Sequence, residues 1–411
     1  MTLSTTKPFL FIAIAFAVML SGCAGFNARD VGPTPIRHAQ QEIPESRLLD
    51  VGISVFTSRQ LTKEEAKKAG TLPGIQKAEN HFIPYHLKNT LQQSSYWGMV
   101  RVVPEIRDFA DVTVQGHILE SNGERLIVEV DVRDASGKRW FKRKYKADLT
   151  DASYEDNQPG QKDPYQDLYN TIANDMARYR ADLTPDRINT VRNISQLKFA
   201  QDMAPDAFGS YLKKKDHGRL EINRLPAADD PMMDRLLRVR ERDYMFVDTL
   251  NEYYENYYND MWSPYENWRE LNRTERIAQA KIRRDAMIRQ AAGALMVATA
   301  ILLDAKDVDH TGLLKGLLVV GGGKIFIDGI NISQQRKIHG AAIEELGESF
   351  DDEMKPLVLQ FEGKQYELTG SAEEQYAKWR ELLKKIYYEE TGFGVPDVSE
   401  NPNHKYQIPN K

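Results

Sequence analysis

The chain of 411 residues has one cysteine, Cys23. A lone thiol excludes a disulfide framework, a Cys-rich zinc site and a paired-thiol redox centre, so the fold must rest on core packing. An excess of positive charge is also missing. Sixty acidic residues against 55 basic ones give a net charge of −5, which argues against a general nucleic-acid partner. Beyond the first two dozen residues there is no long apolar run. The two best, Ala291–Leu303 and Leu313–Ile327, are shorter than the about 20 residues of a spanning helix, and Lys315 and Lys324 interrupt the second. Catalytic signatures are lacking too. Gly323-Lys324 is followed by Ile325, with no glycine five residues before Gly323, so it is not a phosphate loop. Gly347-Glu348-Ser349-Phe350-Asp351 lacks the last glycine of a nucleophile elbow. No His-Glu-x-x-His pattern occurs, and His81 and His86 are five apart, which does not align two ligands on one helix face. No catalytic residue, metal ligand or dissociable cofactor is assigned.

What is present starts at the amino terminus. Lys7 precedes an apolar run from Phe9 to Leu20, followed by Leu20-Ser21-Gly22-Cys23. These four residues resemble the lipobox of bacterial lipoproteins. The resemblance covers only this segment, and it implies that residues 1–22 are a signal peptide cleaved after Gly22. It also implies a diacylglyceryl group on the Cys23 thiol and an acyl group on the new terminus. Ala24 in the next position, by resemblance to enterobacterial sorting, implies the outer membrane, with the protein facing the periplasm. The partner implied there is the bilayer itself, held through the acyl chains. Residues 23–46 hold Gly25, Gly32, Pro33, Pro35 and Pro44 with little apolar periodicity, and read as a lipidated tether; the alternative is a partner-binding strand.

Residues 47–182 read as an α+β domain, a small antiparallel or mixed sheet with two helices. Leu48–Phe56 and Trp97–Val103 are strand-like, and Phe82, Ile83, Leu87 and Leu91 have helical spacing. Pro84 fits only the first turn of a helix, so this helix is expected to start near Phe82. Two turn signals, Ser121-Asn122-Gly123-Glu124 and Ala135-Ser136-Gly137-Lys138, divide a three-stranded meander. A helix follows from Asp163 to Tyr179. This order resembles small α+β domains of periplasmic assembly factors, including the amino-terminal domain of the Tol-system propeller protein, and the likeness is topological. Residues 186–355 read as mainly helical, with segments at Ile188–Ala200, Pro205–Lys215, Pro231–Trp262 and Thr274–Leu303. Residues 356–391 read as a β-hairpin and a terminal helix, and 392–411 as a flexible tail.

Four constellations stand out. Tyr253, Tyr254, Tyr257, Tyr258, Trp262, Tyr265 and Trp268 form an aromatic cluster at helical spacing, a candidate interface for an envelope protein, a glycan or the membrane surface, or else interhelical packing. Gly312, Gly316, Gly321, Gly322 and Gly323 lie in the apolar segment 291–330, which reads as a buried hairpin or a membrane-inserting one. Lys138, Lys142, Lys144 and Lys146 alternate with Trp140 on a predicted strand, either a contact for anionic lipid or an edge strand protected by charge. Asp304, Asp307, Asp309 and His310 lack the spacing of a calcium loop and read as a solvated turn. Together these features lead to an outer-membrane lipoprotein acting as an interaction or assembly factor. The alternatives are an oligomeric membrane-inserting or channel-forming protein and, further off, an enzyme acting on the cell wall or a glycan.

Overall fold

The computed structural model describes residues 28–104, 110–149, 162–302, 334–347, 350, 356–361 and 364–391. Its amino-terminal part is a mixed sheet with helices and the remainder is largely helical, the class expected from the sequence. The strands are β1 (Arg29–Asp30), β2 (Val51–Ser54), β3 (Thr57–Ser58), β4 (Val100–Val103), β5 (Val112–Ser121), β6 (Arg125–Asp134) and β7 (Arg139–Asp148). They form one seven-stranded sheet in the order β1-β7-β6-β5-β2-β4, with β3 beside β5. β5, β6 and β7 are the antiparallel meander, while β2 runs parallel to both β4 and β5. Both hairpin turns are closed by a glycine in the left-handed region, Gly123 at φ 76° and Gly137 at φ 78°. At Gly123 space matters as well, since a Cβ there would meet the Arg269 carbonyl oxygen at 2.6 Å.

α1 (Lys63–Ala69) opens on a capping box in which Thr62 and Glu65 satisfy each other's backbone N–H. α2 (Pro73–Gln93) starts nine residues earlier than Pro84 led us to expect and carries that proline in its interior. The reason is local. Pro84 has no N–H for the Asn80 carbonyl, and that oxygen instead accepts the Phe56 N–H at 2.9 Å. A strand-end backbone group therefore repairs the break.

α3 (Gln166–Ala181) and α4 (Pro185–Met203) follow. The expected helix Pro205–Lys215 shrinks to α5 (Pro205–Phe208); then β8 (Leu212–Lys214) and β9 (Leu220–Ile222) pair as a hairpin. α6 (Pro231–Leu302) joins two expected helices into one of 72 residues and passes through Pro264. Asp260, whose carbonyl loses its helical donor there, is exposed, so water can serve it. A helix over residues 334–347, here α7, is followed by β10 (Leu357–Phe361), β11 (Lys364–Leu368) and α8 (Ala372–Thr391). α8 is capped by Ser371, whose hydroxyl accepts the Glu374 N–H at 3.3 Å.

One continuous apolar cluster runs from the inner face of the sheet through α2, α3 and α4 to α6 and α8, crossing the junction near residue 182. α6 also covers the β4 edge of the sheet. The Asn251 amide accepts from the Val102 N–H and donates to the Val102 carbonyl, both at 2.9 Å, as a neighbouring strand would. Arg101 on β4 forks onto Asp248 of the same helix at 2.6 and 3.0 Å.

Residues 28–39 are not a tether. Val31 donates to the Lys146 carbonyl, and Asp167, Asn170 and Asn174 of α3 bond the backbone of Thr34, Pro35 and Arg37. This strap has almost no side chains to bury. Amides and carboxylates spaced three and four apart on α3 serve its backbone instead.

Candidate functional site

The aromatic cluster belongs to the core. Tyr254, Tyr257, Tyr258, Tyr265 and Trp268 are buried, and Tyr253 and Trp262 are half-buried. Their partners are intramolecular: Phe82 stacks on Tyr258 at 4.7 Å and meets Tyr265 edge-on at 4.8 Å, and Phe350 packs on Tyr257 at 4.4 Å. The expected partner interface is thus corrected to packing of α6 on α2. Two of the phenols find acceptors on α2, Tyr257 at the Ala78 carbonyl at 3.3 Å and Tyr265 at Glu79 at 2.5 Å.

Around these rings lies a buried polar node. Glu79 of α2 is 0% exposed and accepts from the Ser121 hydroxyl and from Tyr265 Oη, the latter at 2.5 Å. Burial pushes its carboxyl up to about 7, against the opposing pull of the two hydroxyls and of Arg269. Arg269 and Asp163 form an ion pair at 2.8 Å with side chains 1% and 0% exposed. Burial alone would raise the Asp163 pKa, but the Arg269 guanidinium holds it below the usual range. His86 lies between Tyr258 Oη at 2.7 Å and Gln166 Oε1 at 2.8 Å. Burial lowers its pKa, and Gln166 Oε1 is an acceptor, so the neutral ring carries its proton on Nε2 and accepts from Tyr258. Asn272 completes the node, donating to the carbonyls of Gly70 and Asn122 at 2.7 and 2.6 Å. These groups tie α2, α6 and the β5–β6 turn together, and no substrate could reach a pair so fully enclosed. His81 and His86 face different rings and do not converge.

The lysine strand carries carboxylates beside its charge. A register shift between Val132 and Arg133 leaves Trp140 off the lysine face. Trp140 stacks on Tyr179 at 4.8 Å and donates to Asp134, and Lys138 lies over the same Tyr179 ring at 5.7 Å. Lys142 pairs with Glu129 at 2.7 Å, and Lys146 with Asp148 at 2.8 Å and Asp30 at 3.0 Å. Lys144 stands opposite Glu129 in the register. Carboxylates on β6, β7 and β1 offset this charge, and β1 covers the β7 edge.

Leu20, Ser21, Gly22 and Cys23 lie outside the described residues, as do Gly312, Gly316, Gly321, Gly322 and Gly323 and the acidic turn at Asp304, Asp307, Asp309 and His310. Of the apolar segment 291–330, α6 includes residues 291–302. Among the described residues no helix is long and apolar enough to cross a membrane, and no group of three or more His, Cys, Asp or Glu could hold a metal.

Two surfaces went unnoticed in the sequence. Over Gln279–Asp285 and at Met287 the α6 side chains are exposed, Ile282 among them. At the root of this stretch a groove opens between α1, α6 and α7. The signal for the first was available, since Lys281, Arg283 and Arg284 interleave with apolar residues. The second joins elements about 200 residues apart, which spacing cannot reveal. No protein-family model matches the chain, and no curated protein or solved structure shows significant similarity to it.

Proposed function

We propose that the protein is an outer-membrane lipoprotein, facing the periplasm, that acts as an interaction or assembly factor in the cell envelope. The observation carrying this reading is Leu20-Ser21-Gly22-Cys23, which lies five residues before Ala28. Five residues reach at most about 18 Å. An acylated Cys23 would therefore hold the β1–β7 side of the sheet close to the bilayer, with the strap of residues 28–39 transmitting the anchor to the body. Several acyl chains, at about 0.8 kcal/mol per buried methylene, suffice for stable attachment. The exposed residues of α6 between Gln279 and Met287 support the interaction role, because Ile282 and Met287 leave apolar surface where a second envelope protein can reach it.

The test is fractionation of cells expressing the full chain or its Cys23→Ala variant. The parent is expected in the outer membrane and the variant outside it; a variant still held in the outer membrane refutes the anchor. A second reading, an oligomeric membrane-inserting or channel-forming lipoprotein, draws on one feature: α6 continues as helix into the small and apolar residues 291–302. Light scattering of the detergent-extracted protein separates the two. A defined multimer formed only by the lipidated form supports the second reading, and a monomer in both forms supports the adaptor.

A further inference from the structure

We infer that the groove between α1, α6 and α7 binds the phosphate headgroup of an anionic lipid. The cavity has a volume of about 1150 Å³, far more than one inorganic ion fills. Its charge is one-sided. Glu124 takes up Arg276 at 3.1 Å and Glu275 takes up Arg336 at 2.9 Å. Of the two acids of α1, Glu65 is committed to Thr62 and Arg59, and Glu64 is exposed and does not line the groove. Lys63, Lys67, Lys68, Arg283 and Lys337 line the groove, are exposed, and make no ion pair among the described residues, with Glu344 as the remaining lining carboxylate.

The groove wall also holds a buried hydroxyl. Thr71 lines the same groove, is only 4% exposed, and its Oγ1 has no hydrogen-bond partner among the described residues. A buried hydroxyl is costly unless bonded, so the wall of the groove holds a donor that lacks an acceptor. The cations come from three separate elements, so they surround a ligand rather than form a stripe. Leu61, Ala66, Leu72 and Ala280 supply apolar wall between them, which suits the first methylenes of an acyl chain. Among the described residues no aromatic side chain lines the groove, so these supply no stacking platform of the kind nucleic acids use. The inference stands on this geometry and not on acylation of Cys23.

The experiment is a calorimetric titration of the full chain with dihexanoyl phosphatidic acid, beside dihexanoyl phosphatidylcholine and inorganic phosphate. Phosphatidic acid is expected to bind at least tenfold more tightly than either control. The combined variant Lys67→Glu, Lys68→Glu and Arg283→Glu should lose at least tenfold of that affinity with its melting temperature unchanged, since all three side chains are exposed. Equal binding of phosphatidylcholine, or affinity unaffected by charge reversal, overturns the proposal. Inorganic phosphate binding as tightly as phosphatidic acid overturns the lipid assignment in favour of a free-anion site. If the variant fails to fold, the salt dependence of the parent decides: binding must weaken between 50 and 500 mM salt, roughly as exposed charges are screened, and salt-independent binding overturns the proposal.

Discussion

The two parts of α6 share one helix and almost nothing else. From Leu236 to Asn272 it buries a stripe of side chains at three- and four-residue spacing, ending in Met261, Tyr265, Trp268 and Arg269. From Gln279 its described side chains are exposed, and Ile282 and Met287 are 52% and 62% accessible. The first part is stabilised by tertiary packing. The second must depend on helix propensity and on continuity with the first, because a helix gains most of its stability in water from a packed face. An apolar side chain in the first part thus has a structural partner, while Ile282 and Met287 have their surface left for an external one.

The largest effect should come from breaking the packed part. Trp268→Ala is expected to cost about 3–5 kcal/mol, the range for emptying a buried aromatic site, whereas Ile282→Ala should stay within about 0.5 kcal/mol. Urea unfolding of both variants checks this contrast, and equal losses would mean that the distal part is packed in solution.

Glu79 sharpens the comparison through pH. Its folded pKa of about 7 lies above the ordinary 4.5. The folded state then holds a proton that the unfolded chain releases between those values, so stability falls as pH rises through that window. Glu79→Gln removes the titration while keeping an acceptor for Ser121 and Tyr265. Thermal melts should find it more stable than the parent at pH 8, with the difference narrowing toward pH 4.5. A difference independent of pH would place the ionisation elsewhere.

The smallest effect is expected on the open face of the sheet. Lys142 is half-exposed and pairs with Glu129 across the strands. Lys142→Ala should change stability by no more than about 1 kcal/mol, and by less in high salt. A larger loss would mark β7 as more than a charge-protected strand beneath β1.

Much of the sheet was legible because its signals are local. Gly123 and Gly137 close tight turns that require a positive φ, and alternation set the inward faces of β5 and β6. The capping residues Thr62 and Ser371 likewise act within one turn. Pro84 misled for the opposite reason: its orphaned acceptor, Asn80, is rescued by Phe56, which lies 24 residues before it. The strap escaped notice because its backbone bonds to α3 leave no pattern in its own side chains. The aromatic cluster was visible as a cluster, but helical spacing is the same whether the rings face a partner protein or α2.

From the sequence alone came the α+β-then-helical class, the hairpin turns, the shortage of thiols and the motif at Cys23, each carried by composition or by residues within one turn of each other. Tertiary structure decided which surfaces are free. It enclosed five of seven aromatic residues that looked available, paired off two lysines of β7, and gathered Lys67, Arg283 and Lys337 from three distant elements into one groove. Exposure and net local charge are properties of neighbours in space, and the packing of α6 against the rest of the chain determines who those neighbours are.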